Sequence, residues 1–83
     1  MTNTPVEARI MEHIATLSEN GDYTRELNIV SFNDRQGRLD VRVWRQDGDG
    51  SKTPLKGIQL TGKEAAALRD ALTEYLDKGA DNE

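Results

Sequence analysis

The segment from Arg38 to Arg45 alternates between apolar and polar residues with a period of two. Because successive side chains of a β-strand point to opposite faces of a sheet, this alternation predicts a strand with one apolar face. The apolar side chains, which we expect to face the core, are Leu39, Val41 and Val43. The opposite face carries the only tryptophan of the chain among charged residues: Arg38, Asp40, Arg42 and Trp44. An exposed indole beside guanidinium groups suits stacking on bases and neutralisation of phosphates.

The length of 83 residues predicts one domain that spans residues 1–83, with an ordered part from about residue 6 to residue 79. A chain this short buries a small core, which favours association of two copies. The absence of cysteine excludes disulfides and thiolate metal sites. No signal peptide or membrane span is apparent in the sequence, so we expect a cytoplasmic protein, with association with the nucleoid left open.

The net charge of -4 argues at first against a polyanionic partner. The charge is unevenly distributed, however, because residues 23–61 hold seven basic and five acidic side chains. This central block is the net-positive part of the chain, and it also contains Phe32 and Trp44. A local basic surface is what nucleic-acid binding requires, although the acidic remainder should weaken long-range attraction.

Turn-forming residues separate the other predicted elements. Strands are predicted over residues 24–33 and 55–61, in addition to residues 38–46. In the strand over residues 55–61, Ile58 and Leu60 are expected to point to the core, and Gly57 indicates a bulge or a close backbone approach. A helix is predicted over residues 62–78, because Thr61 and Glu64 form a capping box and an apolar stripe follows. That stripe comprises Ala65, Leu68, Leu72, Tyr75 and Leu76.

Residues 6–19 are ambiguous by pattern. Ile10, Met11, Ile14 and Leu17 have the spacing of a helix, whereas alternation by two gives a strand with both faces partly apolar. Composition favours the helix slightly.

Catalytic and metal chemistry find little support in the sequence. One histidine without cysteine does not make a zinc site of the usual type. Asp47-Gly48-Asp49-Gly50 lacks the later ligands of a calcium-binding loop, and Gly50-Ser51-Lys52-Thr53 is followed by Pro54 rather than by the helix of a phosphate-binding loop. We therefore expect no enzyme activity, no catalytic residues, no metal, no cofactor and no small-molecule substrate.

Three segments resemble motifs of a known family and occur in the same order along the chain: Arg25-Glu26-Leu27-Asn28-Ile29-Val30-Ser31-Phe32-Asn33, then Asp40-Val41-Arg42-Val43-Trp44, then Lys56-Gly57-Ile58-Gln59-Leu60-Thr61. They are similar to the transcriptional coactivator family of positive cofactor four, most closely to its small bacterial YdbC-like branch. The resemblance implies an α+β fold of four antiparallel strands in a curved sheet followed by one C-terminal helix. It makes residues 8–18 the first strand, and it implies a homodimer formed through the helices that binds single-stranded DNA with little sequence preference.

Matched residue by residue, the resemblance implies base stacking on Phe32 and Trp44. It implies phosphate contacts for Arg42 and Lys56, and it matches Lys52 and Arg25 to basic family positions. The alternation adds Arg38 on the same strand face as Trp44. The predicted nucleic-acid-binding residues are thus Arg25, Phe32, Arg38, Arg42, Trp44, Lys52 and Lys56. The sequence departs from the bacterial pattern at Phe32, where tryptophan is usual, and Asp47 and Asp49 would repel a nearby phosphate.

Alternatives remain open for these residues and for the function. A bulge near Val43 would turn Trp44 into the core, and Phe32 could belong to the core because it shares a face with Val30. The arginines could merely keep an exposed sheet face soluble. A protein-interaction module using the same exposed face, or RNA binding, would also suit these side chains.

Overall fold

The structure, a computed structural model, describes residues 7–79; residues 1–6 and 80–83, at the two ends of the predicted domain, lie outside the described residues. Four strands precede one helix: β1 (Ala8–Asn20), β2 (Tyr23–Phe32), β3 (Arg38–Gln46), β4 (Lys52–Leu60) and α1 (Gly62–Asp77). The strands form one antiparallel sheet in the order β1-β2-β3-β4. The predicted succession of four antiparallel strands and a C-terminal helix is therefore confirmed. Within residues 7–79, no helix has the length and apolarity needed to cross a membrane.

Strand β1 resolves the ambiguous N-terminal segment in favour of a strand. Its pairing with β2 shifts three times, between Ile10 and Glu12, between His13 and Ala15, and between Thr16 and Ser18. Each shift leaves one residue without a partner in the ladder: Met11, Ile14 and Leu17. A bulge adds one residue to the two-residue repeat of a strand. Successive bulges therefore produce the three-residue apolar spacing that had favoured a helix.

Strand β4 begins at Lys52, three residues before the predicted start. It includes Pro54, which has no amide hydrogen to donate to a ladder. The position is tolerated because β4 is an edge strand and pairs on one side only. Gly57 confirms the predicted close approach, since a Cβ at that position would lie 1.9 Å from the Cβ of Arg42.

Helix α1 forms as its sequence predicts but is not packed into a core. The Thr61 side chain accepts from the backbone N–H of Glu64, and the Glu64 carboxylate accepts from that of Thr61, which confirms the capping box. Gly79 has a φ of 76°, suited to the end of a helix. No residue of α1 is buried. Its large apolar side chains are exposed to solvent in the single chain: Leu68, Leu72, Tyr75 and Leu76.

The sheet has two chemically distinct faces, because β2 and β3 pair without a register shift. What we call the polar face carries the even-numbered residues of both strands: Thr24, Glu26, Asn28, Val30 and Phe32 on β2, and Arg38, Asp40, Arg42, Trp44 and Gln46 on β3. The aliphatic face carries the odd-numbered residues: Arg25, Leu27 and Ile29 on β2, and Leu39, Val41 and Val43 on β3.

The buried core lies on the polar face, contrary to prediction. Val30 and Trp44 are the buried hydrophobic residues of the described chain, and Glu26, Asn28 and Asp40 are at most 2% exposed beside them. The aliphatic side chains of β3 are only half-buried, and Ile58, expected in the core, is 58% exposed. Residues of both edge strands, β1 and β4, line one hollow, so the sheet curls, and the burial of Val30 and Trp44 shows that it encloses its polar face and leaves the other face open.

The prediction that Trp44 is exposed is wrong, since its side chain is 1% exposed. The alternation did place the indole on the correct face, across from Thr24 on β2 and from Pro54 on β4. The bulge opposite Val43 belongs to β4 and does not turn Trp44 toward the aliphatic face. The curl of the sheet buries the ring, and a period-two pattern in one strand does not report that curl.

Candidate nucleic-acid interface

Phe32 and Arg42 form the aromatic and cationic pair of the polar face. The guanidinium carbon of Arg42 lies 4.8 Å from the centroid of the Phe32 ring, within the range of a cation–π contact. Phe32 ends β2 and is half-buried, so part of its ring remains accessible at the rim of the sheet. An accessible ring can stack on a base while the neighbouring cation contacts the phosphate of the same nucleotide.

Arg42 is held in place by three acceptor contacts. Its Nε and Nη2 donate to the two carboxylate oxygens of Asp40 at 2.8 and 2.7 Å, and its Nη1 donates to the Leu55 carbonyl at 2.8 Å. Asp40 is fully buried and Arg42 is 13% exposed, so this bidentate pair is shielded from water. The pair fixes the orientation of Arg42, but Asp40 offsets much of its charge.

A groove at the end of the sheet places two further cations beside Phe32. It is lined by Phe32, Arg35, Gln36, Arg38, Gln59 and Thr61. Arg35 and Arg38 are exposed, and within residues 7–79 neither forms an ion pair. Arg35 was missed by the sequence analysis, and its position in the turn directly after Phe32 was the signal that could have found it.

Glu26 is the centre of a buried polar network. Its Oε2 accepts from Lys52 Nζ at 2.8 Å and from Thr24 Oγ1 at 2.6 Å, and its Oε1 accepts from Asn28 Nδ2 at 3.1 Å. His13 Nδ1 lies 2.7 Å from Asn28 Oδ1 and 3.5 Å from Glu26 Oε1. Burial raises the pKa of Glu26, but the hydrogen bonds from Lys52, Thr24 and Asn28, with the charge of Lys52, together lower it below its ordinary value. Glu26 is therefore a carboxylate that neutralises Lys52.

The Trp44 indole has a buried N–H without an acceptor in the described part of the chain. Buried polar groups are normally hydrogen-bonded, and an unpaired donor destabilises the arrangement that holds it. In the conformation seen here Trp44 presents almost no surface to a base.

The predicted site residues do not all lie together. Phe32, Arg38 and Arg42 meet at the rim of the polar face, and Lys52 is joined to Glu26 deeper in the same face. Arg25 and Lys56 instead line a hollow on the aliphatic side with Val41, Val43 and Ile58. The two residues therefore lie on the other face of the sheet from Phe32. The expectation that the basic and aromatic residues share one exposed sheet face is therefore wrong for Arg25 and Lys56.

The β3–β4 turn carries ionised carboxylates. Hydrogen bonds from Thr53 and Arg45 lower the pKa of Asp47, and hydrogen bonds from Ser51 lower that of Asp49. These charges disfavour a phosphate at the turn itself, whereas the groove beside Phe32 lies at the opposite end of β3. No group of three or more metal-ligating side chains occurs among residues 7–79.

The chain has a ββββα fold, with four sequential antiparallel strands followed by one C-terminal helix. The polar face of its sheet bears an aromatic ring and cations. The chain belongs to the transcriptional coactivator p15 (PC4) family, whose family model matches residues 20–71. It is also similar to an uncharacterized protein of Treponema pallidum (strain Nichols), with 34% identity over 74 residues. That alignment covers 87% of this chain and 82% of the relative.

Proposed function

We propose that this protein binds single-stranded DNA with little sequence preference and without catalysis, as an accessory protein of transcription or DNA metabolism. The observation that carries the proposal is the Phe32 ring, contacted by Arg42 at 4.8 Å and open to a groove lined by Arg35 and Arg38. Membership of the transcriptional coactivator p15 (PC4) family supports it. We expect the protein to bind this DNA in the cytoplasm, in association with the nucleoid.

The chemistry of the groove favours unpaired nucleotides over a duplex. A ring such as Phe32 can stack only on a base whose face is accessible, and bases of a duplex are already stacked on one another. Arg35 and Arg38 would contact the phosphates on either side of that base, which requires no reading of base edges. The proposed interface therefore comprises Phe32, Arg35, Arg38 and Arg42, with Lys52 reached farther along the polar face.

We further propose that the protein acts as a homodimer. The single chain exposes the apolar side chains of α1 and a hollow on the aliphatic face lined by Tyr23, Val43, Pro54, Leu55 and Lys56. Exposed apolar surface of this extent is typical of a contact surface between proteins. A second copy that covers the helix and the aliphatic face would also place Arg25 and Lys56 near the dimer contact rather than on the DNA. Two grooves in one dimer could engage one long strand with increased avidity.

The experiment is a titration of fluorescein-labelled oligo-dT followed by anisotropy at two salt concentrations. We expect saturable binding that weakens as salt rises, because the contacts to phosphates release counterions. Unlabelled single-stranded oligonucleotide should compete and a duplex of the same length should compete poorly. RNA of the same sequence is included as a competitor, and preference for RNA would reassign the ligand. Absence of binding at low salt would contradict the proposal.

A further inference from the structure

We propose that the ion pair between Lys52 and Glu26 is a latch over Trp44, and that a phosphate of the bound strand opens it by taking Lys52 from Glu26. This inference rests on the proposed function, because it names a conformational step in binding at the polar face. Opening would supply Trp44 as a second stacking surface that the closed chain conceals.

The register of the sheet places Trp44 beneath the ion pair. Lys52 on β4 pairs with Gln46, and Glu26 on β2 pairs with Arg42. Trp44 lies on β3 between these two positions and on the same face. The contact between Lys52 Nζ and Glu26 Oε2 therefore crosses β3 diagonally at the level of the indole, which is 1% exposed.

The ion pair also reports the curl of the sheet that encloses the indole. Lys52 and Glu26 are two strands and four residue levels apart, which corresponds to about 16 Å between Cα atoms in a flat sheet. The 2.8 Å contact between their side chains requires β4 and β2 to approach each other over β3. The same contact thus links the closure of the sheet to the burial of Trp44.

Lys52 is positioned to exchange partners. Its side chain is 31% exposed, whereas that of Glu26 is 2% exposed, so a phosphate can approach the ammonium group from solvent. Glu26 would retain hydrogen bonds from Thr24 and Asn28 after Lys52 leaves, and His13 lies 3.5 Å from its other oxygen. The carboxylate is therefore not left isolated by the exchange, which lowers the cost of opening.

The indole N–H lowers the cost of opening. Its N–H has no acceptor within residues 7–79, so the closed state leaves this donor unpaired. An opened indole can donate to water or to the nucleic acid and can stack on a base. Only the open fraction of molecules can use Trp44, so the closed state lowers the apparent affinity for the strand.

The first test uses the full chain without DNA and measures acrylamide quenching of the single tryptophan. The variant Glu26→Gln keeps the shape of residue 26 but removes the charge that holds Lys52, so we expect quenching to increase by about twofold or more as the indole becomes accessible. Lys52→Met removes the other half of the latch at a partly exposed site and should also increase quenching. Asp70→Asn, which changes the net charge equally at an exposed helical site, should quench like the parent protein.

The second test compares affinities for oligo-dT. Without the competing carboxylate, Glu26→Gln should bind about fivefold more tightly than Asp70→Asn, which corresponds to the upper range for a partly exposed ion pair. Lys52→Met should bind more weakly than the parent despite its exposed indole, because it lacks the ammonium group. Unchanged quenching in both latch variants would overturn the latch, and increased quenching without tighter binding by Glu26→Gln would overturn the competition with phosphate. Failure of every variant to bind DNA would contradict the proposed function, while the quenching result would still decide whether the latch exists.

Discussion

Gly57 lies directly across from Arg42 in the β3–β4 ladder, and the two backbones approach too closely for any other residue at position 57. A Cβ there would lie 1.9 Å from the Arg42 Cβ and 2.5 Å from the Val41 carbonyl oxygen. Arg42 is the residue that contacts Phe32 and is held by Asp40, so Gly57 shapes the proposed interface without contacting the ligand.

We predict that Gly57→Ala separates β4 from β3 locally and displaces Arg42. Such overpacking should destabilise the fold by about 1–3 kcal/mol, measured by thermal unfolding, and weaken binding to oligo-dT. Gly48→Ala is the matched control, because a Cβ at Gly48 meets nothing within 4 Å. A Gly57→Ala protein that unfolds and binds like the Gly48→Ala control would contradict the positioning role.

The exposed arginines beside Phe32 should determine the salt dependence of binding. If Arg35 and Arg38 each contact one phosphate of a single strand, replacing either with alanine should lower the slope of log K against log salt by about 0.7. Arg69→Ala is the control, because Arg69 is exposed on α1 and pairs with Asp70. Slopes that fall equally in all three variants would indicate a general charge effect rather than contacts in the groove.

The helix should carry the contact between two copies. Leu72 is 48% exposed in the single chain, and we predict that Leu72→Glu shifts a dimer toward monomer by placing a charge in the contact. Sedimentation equilibrium measures this shift, and circular dichroism should show retained helix and sheet. Glu74→Gln, at an exposed helical site, should leave the dimer intact. A parent protein that remains monomeric at high concentration would contradict the dimer.

Glu26 should make the stability of the fold depend on pH in the acidic range. Its pKa is lower in the folded chain than in the unfolded chain, so the ionised carboxylate stabilises the fold above the unfolded pKa of about 4.3. This contribution should be lost as the pH falls below that value and through the folded-state pKa. Glu26→Gln should therefore show a smaller fall in melting temperature between pH 7 and pH 3 than the Asp70→Asn control. An equal fall in both proteins would contradict the assignment.

The sequence predicted the strands and the helix because local patterns encode them. The alternation in residues 38–46 gave β3 with its observed bounds, and the capping box gave the start of α1. Residues 6–19 were harder, because bulges at Met11, Ile14 and Leu17 convert a period of two into a period of three. Whether a strand is bulged depends on its partner, so the pattern of one segment does not distinguish the bulged strand from a helix.

The position of the core could not be predicted from the same patterns. Leu39, Val41 and Val43 indicated the buried face, yet the fully buried residues of β3 are Asp40 and Trp44. The direction of curl is set by four strands together and by contacts such as Lys52 with Glu26, which lie 26 residues apart in the chain. The aliphatic face stays open in the single chain, and the second copy that we propose to cover it is not encoded in the pattern of any one strand.

The structure brings only part of the predicted site together. Phe32, Arg38 and Arg42 lie together, whereas Arg25 and Lys56 lie on the other face. By sequence, Trp44 was expected to be the exposed aromatic, whereas Phe32 shares a face with Val30 and could belong to the core. The structure reverses their order, since Phe32 is accessible at the rim and Trp44 is covered.

The most direct measurement is the affinity of Phe32→Ala for oligo-dT relative to the parent protein, by anisotropy at low salt. Stacking of a base on this ring should contribute about 1–3 kcal/mol, so we predict that Kd rises by about tenfold or more. The melting temperature of the variant, measured in parallel, verifies that it is folded at the temperature of the titration. A folded Phe32→Ala protein that binds oligo-dT as tightly as the parent would contradict the central claim that this ring and its neighbouring arginines hold an unpaired strand.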